Sequence, residues 1–393
     1  MPIARKMGDF IEKSSWIRKM FEEGARLKAI HGADNVFDFS LGNPNMEPPE
    51  EVRDHLEQVA TDPAPGLHAY MPNTGYPHVR KAVADFLGRE QGIGITENEI
   101  IMTCGAAGGL NIVLKAILDP DDEVITPAPY FVEYGFYADN HGGRLVAVPT
   151  RPDFTIDVAA IEAAITPKTR AVVINSPNNP TGQVYSAQNL AELGRCLEKK
   201  SREINRRIYL VSDEPYRKIV YDNIEVPGVF DCYADSVMAT SYSKDLSLPG
   251  ERIGFAAVNP AAGEKQQLLA AMALANRILG FVNAPALMQR LVALVQGTSV
   301  DIAEYDRKRN LLCNGLDRLG YKFIRPAGAF YLFPQSPVKD DVEFVGALQQ
   351  ERILAVPGSG FGAPGYFRLS FCVADQTITD AMPGFEKTIA QFQ

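Results

Sequence analysis

Between about Ile100 and Phe255 the chain alternates short apolar runs with helical stretches, and no other feature narrows its possible folds as far. The runs are EIIMT, DEVITPAP, RAVVINSP, IYLVSDEPY, SVMATSYSK and RIGFAAV. Runs of about four to six apolar residues bounded by Gly, Pro, Asn or Asp predict buried strands of a mostly parallel sheet with helical crossovers. The segment therefore reads as an α/β domain, in which ligands sit beyond the carboxyl ends of the strands.

The flanks differ in texture. From Phe10 to His31, Ile17, Met20, Phe21 and Leu27 fall at helical spacing with Trp16 beside them, and GADNVFDFSLGNPN then changes to a short strand and a loop. Trp16 and Phe21 are expected in core packing. After Pro285 one long helical stretch, ALMQRLVALVQGTSVDIAEYDRKRNLLCNGLDRLG, precedes YKFIRPAGAFYLFP, a helix, ILAVPGSGFG and YFRLSFC. The first ~45 and last ~105 residues are expected to combine into a second, smaller unit beside the large one.

Composition restricts partners. Lys and Arg number 39 against 48 Asp and Glu, a formal charge of −9 without a basic run, which disfavours nucleic acid or an anionic membrane surface. The cysteines (Cys104, Cys196, Cys232, Cys313, Cys372) are scattered and never form C-x-x-C, which argues against disulfide scaffolds and zinc sites and fits a reducing cytoplasm. MPIARKMGDF lacks an apolar leader core, and no stretch approaches the ~20 apolar residues of a membrane span.

Polar residues collect where the strands end. After IIMT, Gly105, Ala106 and Ala107 open a helix, which serves close packing or an anion at the helix start. SPNNPTG is a turn that leaves the Asn179 amide at the sheet rim, and Asp213, with Tyr216 behind it, is a helix cap or a site acid. Ser241, Ser243 and Arg252 offer donors to a phosphate. Lys244 stands among them, and a lysine at a buried strand end is costly unless neutralised or covalently used; the alternative is a solvated lysine in a turn.

Taken in order, GAAGGL, SPNNPTG, SDEPY, SYSKDLSLPGER and RLSF resemble the pyridoxal-phosphate-dependent aminotransferases of the aspartate aminotransferase superfamily. LGNP, HAYMPNTGYPHVRKAVADF and PGSGFG extend the resemblance over nearly the whole chain. It implies a large α/β domain over 46–285, with a mostly parallel seven-stranded sheet flanked by helices, and a smaller α/β domain from 1–45 and 286–393. It also implies that Lys244 holds pyridoxal 5'-phosphate as a Schiff base, that Asp213 pairs with the pyridine nitrogen, and that Asn179 and Tyr216 bond the phenolic oxygen. Gly105, Ala106, Ala107, Ser241, Ser243 and Arg252 correspond to the phosphate cup, with Tyr70 reaching the neighbouring subunit of a homodimer. Phe131 resembles the ring-stacking aromatic, and Arg368 the clamp on the substrate α-carboxylate, with Gly42 and Asn179 lining the same pocket.

The chemistry agrees with these roles. An imine forms only from a neutral amine, so the lysine must be desolvated or near positive charge, which Arg252 and a dry strand end provide. The resemblance implies an aminotransferase working by a ping-pong mechanism between an L-amino acid, first guess aspartate, and a 2-oxo acid, first guess 2-oxoglutarate. An aromatic or alanine-type aminotransferase and a β C–S lyase are alternatives on the same scaffold. Some relatives carry a lysine for the distal carboxylate where this chain has Ala107; Arg277 is a candidate replacement, and Phe131, Tyr130, Phe281 and Tyr70 are equally able to make an apolar pocket. A regulatory module of transcription regulators is disfavoured, because only about 40 residues precede LGNP and leave no room for a winged helix. GSGFGA departs from G-x-G-x-x-G and reads as a turn near the substrate entrance, and the five histidines show no metal spacing.

Overall fold

The computed structural model describes residues 2–12 and 16–392. Strand β1 (Phe37–Asp38) comes first, and seven strands follow: β2 (Ile100–Thr103), β3 (Glu123–Ala128), β4 (Arg144–Pro149), β5 (Thr169–Asn175), β6 (Tyr209–Asp213), β7 (Ser236–Ser241) and β8 (Gly254–Val258). These seven form one sheet in the order β2-β8-β7-β6-β5-β3-β4. Only β8 runs against its neighbours, so the carboxyl ends of the other six share one edge.

Alternation along the strands divides the core. Val172 and Ile174 face one apolar cluster with Met102, Leu210 and Met238. Ala171 and Val173 face the opposite cluster with Ile101, Val211 and Val237. Helices cover both faces, which is why the strands read as continuous apolar runs. Edge strand β4 differs: mostly exposed or half-buried, it needs no such run, and it was absent from the six predicted segments.

A second core gathers Phe39 with Phe330, Phe333, Phe367 and Phe385 from the other end of the chain. There β9 (Tyr331–Leu332), β10 (Ile353–Leu354), β11 (Val356–Pro357) and β12 (Phe367–Ser370) make two small sheets, with β1 parallel to β10 and the order β11-β12-β9. The stretch expected as helix over 10–31 is helical throughout its described residues, within Arg5–Glu12 and Trp16–His31; Met20 and Leu27 are buried, and the side chains of Trp16 and Phe21 lie outside the described residues. One expectation changes. The long stretch after Pro285 is two helices, Ala286–Leu294 and Ile302–Arg318. The first ends at Leu294, Gly297 lies in the turn beyond it at φ +93°, and Asp301 starts the second by accepting from the Ala303 amide.

Candidate active site

The shared edge of the sheet opens into a cavity of about 270 Å³ lined from both cores. Register sets its floor: Asn175 of β5 lies beside Asp213 of β6, and Ser241 of β7 beside Gly254 of β8, which also pairs with Thr103 of β2. Asn175 ties this floor together, donating from Nδ2 to the Asp213 carbonyl at 2.8 Å while its Oδ1 accepts from the Asn179 amide at 2.7 Å.

Lys244 follows β7 and lines the cavity, its Nζ donating to the Gly42 carbonyl at 2.8 Å. Among the described residues no carboxylate pairs with it. Its other neighbours are rings, Phe330 at 5.5 Å and Tyr216 at 6.0 Å from their centroids. Enclosure pushes its pKa down to about 8, with the positive charges of Arg368 and Arg252 adding to the effect and Cys372 opposing it. A pKa lowered this far gives a far larger fraction of neutral amine than an ordinary lysine has, which is what a nucleophilic or basic lysine needs.

Asp213 is buried, and burial pushes its pKa up to about 7 against the hydrogen bond from Tyr134, while Glu214 adds to the rise. Tyr134 donates to Oδ2 at 2.6 Å; Oδ1 is buried with no partner. Such an orphaned acceptor is rare in a folded interior and fits a ligand donor such as a protonated ring nitrogen.

On the other side, Ser241 and Ser243 present hydroxyls with no partner among the described residues. Gly105 opens the helix Gly105–Ile117 at φ +73°, and a Cβ there would lie 2.9 Å from Nη2 of Arg252. Arg252, itself at φ +51°, donates from Nη1 to the Pro249 carbonyl. Ala106 and Ala107, in the first helical turn, line the cavity, and the free amides of that turn join the hydroxyls and the guanidinium as donors to a phosphate.

Arg368 comes from β12 and is 2% exposed. It donates from Nη1 to Asn179 Oδ1 at 3.0 Å and from Nη2 to the Ser40 carbonyl at 2.5 Å, and its Nε has no partner. Its guanidinium lies over the rings of Tyr331 and Phe361, at 4.5 and 4.9 Å from their centroids. Tyr216 shares a 2.9 Å hydroxyl contact with Tyr331. Gly42 belongs here for a steric reason: a Cβ on it would fall 1.8 Å from the Tyr331 hydroxyl.

The cavity thus brings together Gly42, Ala106, Ala107, Phe131, Asn179, Asp213, Tyr216, Ser241, Ser243, Lys244, Arg252 and Arg368, with Gly105 beside it. Tyr70 stands apart, 92% exposed, and Arg277 is exposed near the end of helix Lys265–Ile278; neither lines the cleft of its own chain. GSGFGA is a short turn, Gly358–Phe361, that brings Phe361 under Arg368. Among the described residues no group of histidine, cysteine or carboxylate side chains is arranged to hold a metal. Asn175, Tyr134, Tyr137 and Tyr331 were missed; only Asn175, a polar residue ending a buried strand, carried a local signal.

A counter-ion-free amine, an acid with a free oxygen, an anion cup and a buried arginine around one cavity define an α/β enzyme that works on a small anionic ligand. The family model for aminotransferase class I and II matches residues 34–383. The chain is 33% identical over 362 residues to the aspartate/prephenate aminotransferase of Thermus thermophilus, covering 90% of each. It is 31% identical over 376 residues to the aspartate aminotransferase of Thermotoga maritima, covering 94% of this chain and 96% of that one. A solved amino transferase of Eubacterium rectale superposes over the full length of both chains with a TM-score of 0.97 at 43% identity. The aspartate aminotransferase of Thermus thermophilus with maleate gives 0.86 at 30% identity, over 98% of this chain and 99% of that one. The chain belongs to the class I and II aminotransferases.

Proposed function

We propose that this aminotransferase uses pyridoxal phosphate to move the amino group of L-aspartate to 2-oxoglutarate in a ping-pong cycle. The names of its relatives support aspartate as donor. One observation carries the reading: Lys244, without a counter-ion, faces the same cavity as the unpartnered oxygen of Asp213, the Arg252 cup and Arg368.

Pyridoxal phosphate fits these residues. The Asp213 oxygen would meet its ring nitrogen, the Ser241 and Ser243 hydroxyls, the helix start and Arg252 its phosphate, and Lys244 its aldehyde carbon. Bound there, the cofactor supplies a ring that accepts the negative charge developing at the substrate Cα. Lys244, in its neutral form, would hold the cofactor at its aldehyde carbon, and its amine would take the substrate Cα proton and return it as general base and then acid, worth ~10²- to 10⁴-fold. Asp213 holds a proton on the ring nitrogen through a charge-assisted hydrogen bond. Arg368 turns its free Nε to the substrate carboxylate and so orients the Cα–H bond. Asn179 Nδ2 and the Tyr216 hydroxyl would donate to the phenolic oxygen, and Phe131 would lie against the ring.

The reading includes a large domain over 46–285 and a small one from the two chain ends. It also includes a homodimer, which would give the exposed Tyr70 a partner cleft to enter. A cytoplasmic setting is supported by five unpaired cysteines and the absence, among the described residues, of a helix long and apolar enough to cross a membrane. The test is a nitrogen balance: ¹⁵N-aspartate with 2-oxoglutarate should yield labelled glutamate and equimolar oxaloacetate, whereas ammonia released without an acceptor would point to a lyase.

A further inference from the structure

We propose that Tyr331 is a positioning residue. It donates its hydroxyl hydrogen to the Tyr216 oxygen and carries the Arg368 guanidinium on its ring, so that the Tyr216 hydrogen and the free Nε of Arg368 are both turned to the ligand. The inference rests on the functional reading above.

The geometry begins with β-pairing. Tyr331 lies opposite Ser370 in register, one strand away from Arg368, so its ring is delivered to the face of that side chain. Buried at 2% exposure, the ring has the guanidinium over it at 4.5 Å from its centroid, and a cation over an aromatic face is stabilised most where water is excluded. The hydroxyl has a single hydrogen-bond partner, Tyr216, at 2.9 Å. On its other side the Gly42 backbone packs so closely that a Cβ would approach to 1.8 Å.

Burial raises the pKa of both phenols, Tyr331 to about 12 and Tyr216 well above its ordinary value, so both keep their hydrogens. Two protonated phenols at this distance have room for one hydrogen between them. Were it the Tyr216 hydrogen, Tyr331 would have no protein acceptor for its own and Tyr216 would have none to give a ligand. With the Tyr331 hydrogen between them, both groups are satisfied, and a phenol that accepts one hydrogen bond donates its own more strongly. The edge-on ring contacts of Tyr216, 5.3 Å to Phe330 and 5.7 Å to Tyr331, hold its ring in place for this.

The test uses the wild type, Tyr331→Phe, Tyr331→Leu, Tyr216→Phe and the Tyr216→Phe/Tyr331→Phe double variant. The readouts are pyridoxal phosphate affinity of the apoproteins and succinate affinity of the loaded proteins, since succinate offers carboxylates without a reactive amine. Tyr331→Phe should weaken cofactor affinity about 3- to 10-fold, the size of one neutral hydrogen bond, and leave succinate within twofold. In the Tyr216→Phe background the same change should shift cofactor affinity less than twofold. Tyr331→Leu, which removes the ring, should weaken succinate at least ~5-fold. An equal effect of Tyr331→Phe in both backgrounds, no effect in either, or unchanged succinate binding in Tyr331→Leu would overturn the proposal. The Phe cycle decides alone if the Leu variant does not fold. A wild type that binds no pyridoxal phosphate would instead refute the functional reading.

Discussion

Tyr134 donates a 2.6 Å hydrogen bond to Oδ2 of Asp213, and Oδ1 of the same carboxylate is buried without a partner. One oxygen is fixed and the other left available, and the donated hydrogen favours the charged carboxylate against the burial that raises its pKa to about 7. Replacing Tyr134 with Phe should weaken pyridoxal phosphate retention about 3- to 10-fold. Replacing Asp213 with Ala removes a charge-assisted bond and should lower turnover about 10- to 100-fold or more. Titration of the apoproteins and steady-state rates check both; full retention in Tyr134→Phe would show that the carboxylate is oriented by something else.

Lys244 yields a pH signature. Its pKa in the fold is about 8, below the ordinary 10.5, so between these values the unfolded chain binds more protons at this site and stability rises with pH. The site imposes a penalty fully present below about pH 8 that fades towards 10.5, on the order of 3 kcal/mol in all. Apoprotein Lys244→Met should therefore be more stable than wild type in urea at about pH 7, and the gap should narrow at about pH 10. A gap independent of pH would mean that this amine is not held uncharged by the fold.

In the proposed reading Arg368 meets the group common to every amino acid substrate. Arg368→Ala should lower kcat/KM for all donors alike, about 10- to 100-fold, and Arg368→Lys should recover little, because an ammonium cannot reproduce the fork that reaches Asn179, Ser40 and a ligand together. A panel of amino donors with 2-oxoglutarate measures this. A loss confined to one donor would assign Arg368 to side-chain recognition.

Gly42 is a steric requirement. With a Cβ placed 1.8 Å from the Tyr331 hydroxyl, Gly42→Ala must move that ring or the Lys244-bonded carbonyl. We expect a loss of ~1 to 3 kcal/mol in denaturant unfolding together with reduced turnover. Wild-type stability and rate in this variant would show that the cleft has slack there.

Much of this site could be read before any coordinates, for a local reason. Asp213 ends, and Asn179 and Lys244 follow, a buried strand whose apolar run is plain in the chain, and parallel pairing brings those strand ends to one edge. Tyr134 and Tyr331 were not legible in this way. Tyr134 reaches Asp213 from a helix, Tyr331 reaches the cavity from a two-residue strand in the second core, and an isolated tyrosine in either place looks like any packed aromatic. Strand β4 was missed because an edge strand needs no continuous apolar run, and the break after Leu294 because the apolar periodicity resumes on both sides of it. Tyr70, 92% exposed, lies outside the cleft of its own chain, and its expected role belongs to the proposed homodimer.

The central claim is that the amine of Lys244 is the one the cofactor's aldehyde engages. Borohydride reduction of the protein loaded with pyridoxal phosphate, followed by proteolysis and mass spectrometry, tests it directly. The account predicts one reduced phosphopyridoxyl adduct per chain, on the peptide containing Lys244 and lost in Lys244→Ala; an adduct on another lysine, or none on a protein that retains the cofactor, would contradict it.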